Sequence, residues 1–345
     1  MQETLEFLSF TDPSVRVVVL GTMILGATSA LVGAFAFLRK RALVGDAIAH
    51  AILPGVCLSF MISGSKNPFF LIIGAFISGW LGLILIDAIE RTTKLKSDAA
   101  IGIILSVFFG FGILLLTAIQ HSGNASQAGL DKFLFGQAAA MSHQDIYVFA
   151  GIGLLLMITI LVFYKAFKLI SFNPDYAKVI GLPVKSLEIL LSTLTVLAVA
   201  VGIQAVGVVL MAALLITPAS GARFWTDRLG IMILLATIFG AISAFLGSYV
   251  SYVAPSMPTG PWIVMFLSII TVTSIWFAPK RGLFYRIKTQ RENKKKILIE
   301  NILKVFYHIG EQAEDYEKPR STSHLMETRG MRPEEWKSGL NQLVQ

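Results

Sequence analysis

The stretch LVGDAIAHAILPGV, residues 43–56, sets an aspartate and a histidine four residues apart in an otherwise apolar run. On a helix that spacing stacks Asp46 and His50 on one face, with Cβ atoms about 6 Å apart. Two chemistries fit such a pair. A carboxylate in the first helical turn is favoured by the macrodipole, and the imidazole would then only hydrogen-bond to it. Alternatively the pair ligates a divalent cation, since carboxylate oxygen suits Mn2+ and imidazole suits Zn2+, Fe2+ or Mn2+. Two ligands per helix are few; a second copy of the chain in a symmetric dimer would make four. The same face continues through Leu53, Pro54 and Cys57. Pro54 has no amide proton, so a helix kink is expected there, just beyond His50. Cys57, the single cysteine, reads as a small core residue, with a second metal stop as the alternative.

An aspartate within a membrane span costs about 2.5–3.5 kcal/mol on insertion scales. Such residues normally face the bundle interior and mark ion or substrate pathways. Other polar candidates are weaker. His121, Asp131, His143 and Asp145 cluster in one long loop, where they could attract a cation, dock a partner or simply be solvated. Pro218, in LLITPASGARF, is a second expected kink. There is no GxxxxGK[ST] stretch, no HExxH and no Ser-His-Asp pattern. No nucleotide-hydrolysing or catalytic apparatus is therefore visible. If the chain moves a substrate uphill, the energy comes from an ion gradient or from another subunit.

The elements that must position these residues are legible from composition. The chain has 345 residues, 55% hydrophobic and 14% charged, against about 25% charged in a soluble domain. Apolar blocks fall at 14–38, 43–62, 68–89, 99–119, 146–164, 187–205, 207–224, 229–253 and 262–278. They have the length that crosses a bilayer and lack the alternation of a β-barrel. The expected fold is an all-α polytopic membrane protein with nine transmembrane helices, or eight if the sixth and seventh blocks form one tilted or re-entrant element.

The net charge of +8 is distributed by loop, which is the signature of membrane topology and not of nucleic-acid binding. Arg39, Lys40, Arg41, Arg91, Lys94, Lys96, Lys165, Lys168, Lys178, Lys185, Arg223 and Arg228 lie on one side, against Lys66 and Lys132 on the other. By the positive-inside rule the first set is cytoplasmic, the N-terminus outside and the C-terminus inside. The opening MQETLEFLSFTD lacks a basic n-region, so no cleavable signal peptide is expected.

Two loops exceed plain connectors, 120–145 outside and 165–188 inside. The inner one contains NPDYAKVIGLP, which predicts a short helix: Asn173 as cap, Pro174 at the first position, Gly181 beyond the end. A capped helix in a cytoplasmic loop suggests a surface built to touch something. After Gly282 the composition turns polar and basic. Residues 283–345 are expected to form a short cytoplasmic helical appendage to the 1–282 transmembrane domain. Helical periodicity runs through Ile297, Ile299, Ile302, Leu303 and Phe306. Ser321 and Pro333, the latter with Glu334 and Glu335, mark two further helix starts.

The segment RKRALVGDAIAHAILPGV resembles the signature of the ABC-3 family, membrane permease subunits of bacterial ATP-driven importers of manganese, zinc or iron. The likeness extends in order through KSDAAIGIILSVFFGFGI (96–113), LDKFLFGQ (130–137), NPDYAKVIGLPV (173–184) and VGVVLMAALLITPASGAR (206–223). The resemblance implies a homodimer of permeases in the bacterial cytoplasmic membrane. It implies two cytoplasmic ATPase subunits that bind the ATP, and an extracytoplasmic metal-binding protein. It implies that Asp46 and His50 of each copy line the central pathway as ligands for the transported Mn2+, Zn2+ or Fe2+. No permanently bound cofactor and no nucleic-acid partner are expected. It further implies that Asn173, Pro174, Asp175, Tyr176, Ala177, Lys178 and Gly181 form the helix that couples to the ATPase. The tail resembles the opening helices of a winged helix without its wing strands, and is expected to dock on or regulate the ATPase. The alternatives are a proton-coupled secondary metal transporter and a membrane sensor acting through the tail.

Overall fold

The computed structural model describes residues 6–7, 9–39, 42–65, 67–121, 141–254, 257–279, 281–313, 315–316 and 333–343. Lys40, Arg41, Lys66, Asp131, Lys132, Ser321 and the segment LDKFLFGQ lie outside them. The chain divides into two compact units, Met1–Ser274 and Ile275–Gln345.

The first unit is a helix bundle built around α1, Pro13–Leu38. Asp12 caps α1 by accepting a hydrogen bond from the Ser14 amide, and Pro13 takes the first position, the pairing that helix starts favour. No charged residue follows Arg16 in α1, so the helix can be wrapped on all sides. It is wrapped by α6 (His143–Val162), α9 (Val184–Val206), α10 (Val208–Arg223) and α11 (Leu229–Val253). Gly26 and Gly240 let α1 and α11 meet backbone to backbone: a Cβ on Gly26 would lie 2.6 Å from the Gly240 carbonyl oxygen. Small residues at helix crossings serve this close approach in membranes. Thr22 and Ser248 join the same two helices through their hydroxyls, 3.0 Å apart.

A second layer comprises α2 (Ala42–Ala51), α3 (Leu53–Ser63), α4 (Pro68–Thr92) and α5 (Ser97–His121). Helices α2 and α3 together make one membrane-length segment, Leu43–Ser63. The helix is interrupted at the single residue Ile52, two before Pro54, which stands among the first residues of α3. Helix α12, Thr259–Phe277, meets α11 where Ile263 lies over Gly247 and α10 where Thr271 lies over Gly221.

Eight helical segments among the described residues are long and apolar enough to cross a membrane. The seventh apolar block forms its own helix, α10, but only 16 residues long. That is about 24 Å, short of the roughly 30 Å hydrocarbon core. Gly207 separates it from α9 with φ 84°, a conformation glycine adopts without strain. Met211 then packs over Gly202, so the two helices fold back on each other. Pro218 sits inside α10, and the helix continues through it.

The inner loop contains two short helices, α7 (Tyr164–Phe172) and α8 (Pro174–Val179). Phe167 is buried against Phe35 of α1, ring centroids 5.8 Å apart. Arg39, at the end of α1, and Glu188, in the first turns of α9, form an ion pair at 2.6 Å.

The second unit contains the last residues of α12, then α13 (Leu283–Ala313) and α14 (Pro333–Leu343). Its seam is Ile302, Val305 and Ile309, with Leu298 and Leu340 packed against them. This corrects the stripe expected from the sequence. Of those five positions only Ile302 is buried, while Ile297, Leu303 and Phe306 are exposed. The 4-3-4 spacing of 298, 302, 305 and 309 is the one that stays on a single face, and Gly339 of α14 lies over Leu298 and Ile302.

Candidate ion-pathway site

Helix α2 packs against α4, α5, α9 and α10. Val44, Ala47, Ile48, Ala49 and Ala51 are buried, which leaves Leu43, Asp46 and His50 along one partly open edge. The helix starts at Ala42 and has no acidic residue in its first turn. Asp46 thus lies beyond the turn where the macrodipole would explain it. Its Oδ1 is 3.7 Å from His50 Nε2, with side chains 39% and 18% exposed. That separation exceeds an N–H···O hydrogen bond. His50 Nδ1 is buried and has no hydrogen-bond partner. The imidazole stands edge-on to Phe109 of α5, ring centroids 4.9 Å apart and planes at 86°, which fixes its tilt. The pair therefore keeps its ligand capacity. Among the described residues, no group of three or more His, Cys, Asp or Glu side chains comes together.

The other sequence candidates go elsewhere. Leu53 and Cys57, across the Ile52 interruption, are buried in the core. Cys57 Sγ sits 3.8 Å from the Gly112 carbonyl oxygen and does not share the open edge of Asp46 and His50. His121, at the end of α5, places Nδ1 2.8 Å from the Thr117 carbonyl oxygen and is exposed. Asp145 caps α6: its Oδ2 accepts from the Ser142 amide and hydroxyl, both at 2.8 Å, and the Ser142 hydroxyl accepts from the Asp145 amide. His143 is exposed on the first turn of α6. A groove of about 770 Å3 between α3, α4 and α5 is almost wholly apolar and includes neither Asp46 nor His50.

At α8, Asn173 Oδ1 accepts from the Tyr176 amide at 3.0 Å. Gly181 adopts φ 84°, and the Leu182 amide reaches back to the Ala177 carbonyl at 3.0 Å, a left-handed helix stop. Ala177 is buried and seats the helix. Phe172, Tyr176, Val179 and Ile180 point outward, Val179 being 83% exposed. Phe172 closes α7, and the other three lie on α8 or at its end. The sequence reading covered 173–181 but missed α7. Its signal was the pair Phe167 and Ile170, both buried, at a spacing of three.

A bundle of membrane-length helices carrying an ionisable pair on an interrupted span is the build of a polytopic membrane transport protein. Residues 11–278 match the model of the ABC 3 transport family, and the chain belongs to that family. It is 46% identical over 312 residues to the manganese transport system membrane protein MntC of Bacillus subtilis, covering 90% of this chain and 70% of that protein. It is 44% identical over 282 residues to the zinc transport system membrane protein TroC of Treponema pallidum, covering 82% and 95%. Among solved structures it resembles PsaBC from Streptococcus pneumoniae in complex with Fab. The TM-score is 0.72 at 33% identity, covering 80% of this chain and 97% of that one.

Proposed function

We propose that this chain is the permease subunit of an ATP-binding-cassette importer that admits a divalent transition-metal ion by alternating access. The observation that carries the proposal is the Asp46–His50 pair: open on one edge, unconsumed by hydrogen bonds, and short of a full coordination set. Two copies facing each other across a two-fold axis supply two carboxylates and two imidazoles. That set suits Mn2+, Zn2+ or Fe2+, and relatives named for manganese and zinc transport support the same cargo class, with Mn2+ first. Asp46 and His50 hold the ion loosely enough to release it. The α8 surface around Asn173, Pro174, Asp175, Tyr176, Lys178 and Gly181 receives the ATPase subunit, one per permease. An extracytoplasmic binding protein delivers the ion. The basic loops are cytoplasmic, with the N-terminus outside and the C-terminus inside.

The test is metal accumulation in cells carrying Asp46→Asn or His50→Gln at matched membrane levels. Each variant preserves side-chain volume and removes ligand strength. Uptake is expected to fall about tenfold or more, the scale on which metal sites respond to lost support. Wild-type uptake in both variants would remove the site. Loss of uptake when the co-purifying ATPase is inactivated separates this reading from a proton-coupled carrier, which would keep working.

A further inference from the structure

Helix α12 ends at Phe277 and α13 starts at Leu283. Phe284, in the first turn of α13, lies against both Trp276 and Phe277, with ring centroids 5.3 and 5.5 Å apart. The Gly282 amide donates to the Ala278 carbonyl at 2.9 Å, and a Cβ on Gly282 would fall 2.5 Å from that same oxygen. The start of α13 is therefore fastened to the last turn of a membrane-length helix.

The first half of α13 carries Arg286, Lys288, Arg291, Lys294, Lys295 and Lys296 against one acid, Glu292, and all are exposed. The positive-inside bias accounts for cations beside a span but is indifferent to which helix face they occupy. Here the face is specified. Lys288, Arg291 and Lys295 follow Phe284 at intervals of 4, 7 and 11 residues, the spacing of a single helical stripe. The side of α13 that is held to the end of the span thus carries three cations in register. Arg286, Lys294 and Lys296 sit on other faces.

We propose that the first half of α13 is a binding surface for anionic phospholipid headgroups of the leaflet in which α12 ends, with Lys288, Arg291 and Lys295 as its phosphate contacts. Ammonium and guanidinium groups both pair with phosphodiester oxygens. Near a charged membrane each basic side chain is worth about fivefold in affinity, and the field decays within a Debye length of about 8 Å. A nucleic acid offers phosphates too. The attachment of α13 to the end of a membrane-length helix favours lipid.

The experiment is hydrogen–deuterium exchange of the 284–298 segment in the full chain, held in nanodiscs of phosphatidylcholine with or without phosphatidylglycerol. Phosphatidylglycerol is expected to slow exchange severalfold, and molar salt to reverse the effect. Lys288→Gln, Arg291→Gln and Lys295→Gln together should abolish the slowing. Arg286→Gln, Lys294→Gln and Lys296→Gln together should leave most of it. Unchanged protection at Ile302 and Val305 in every variant verifies the fold. Identical exchange in the two lipids overturns the proposal, and so does equal loss from both triple variants. Protection by duplex DNA in phosphatidylcholine discs, matching that by phosphatidylglycerol, assigns the surface to nucleic acid instead.

Discussion

Asp46 and His50 differ from the buried hydroxyls of the bundle in what they leave unmade. Thr22 bonds back to Val18 and across to Ser248, Ser243 to Gly240, and Ser78 to Ala51. Each of these hydroxyls is consumed by a carbonyl or another hydroxyl, the usual fate of polar groups in an apolar interior. The Asp–His pair is not consumed. Its shared face was legible from the sequence through the four-residue spacing, whereas a bond between the two side chains was left open there. The crossing of α1 and α11 was not legible. Which of 29 glycines meets which helix depends on the packed bundle, not on local pattern. Gly26→Val tests that crossing. Its branched side chain would press on the Gly240 backbone, which cannot yield as a side-chain tip would. A loss of about 1–3 kcal/mol is expected, the usual cost of overpacking, read as a lower melting midpoint in detergent. Gly102→Ala is the control: nothing lies within 4 Å of its added Cβ, and its midpoint should stay at or slightly above the wild type, since alanine is the better helix former.

At the scale of elements, punctuation decided what could be read. The α8 helix announced itself through Asn173, Pro174 and Gly181, whose side chains or backbone preferences do the capping that the geometry displays. Its neighbour α7 begins after Phe163, which makes no side-chain cap, so no start signal marked it and only the spacing of Phe167 and Ile170 pointed to it. Asn173→Ala should loosen α8 by about 1 kcal/mol and reduce transport-coupled ATP hydrolysis in proteoliposomes, with the bundle's melting point unchanged. Val179→Asp leaves α8 folded, since that side chain touches little of its own chain, but puts a charge in the middle of the apolar surface. Pull-down of the ATPase subunit should fail. Retained association would show that the ATPase docks elsewhere. The Gly207 interruption explains the uncertainty between eight and nine spans: composition alone sees two adjoining apolar blocks, whereas the length of α10 depends on where a positive-φ glycine stops α9.

For the whole molecule, the unit Met1–Ser274 contains every described element that positions the Asp–His pair. Deleting residues 286–345 should therefore leave metal uptake and the bundle's thermal stability close to wild type. Altered gene expression with intact uptake would instead favour a sensor role for the tail. The proposed dimer makes a sharper prediction. When wild-type chains are co-purified with chains carrying both Asp46→Ala and His50→Ala, the mixed dimers hold two ligands instead of four. Their transport, measured after tandem-tag isolation, should resemble the double-mutant homodimer more than the mean of the two parents. Half-maximal transport would mean that each copy carries ions by itself.

The proposed pathway, with so few donors from each copy, would also have a weakness. The Irving–Williams order ranks Zn2+ above Mn2+ at nitrogen–oxygen sites. An Asp–His pair would accordingly grip zinc harder than manganese, and the ion gripped hardest leaves last. A transporter built this way would be open to jamming from its own entrance, and the discrimination that keeps it running would then belong to whatever hands it the ion.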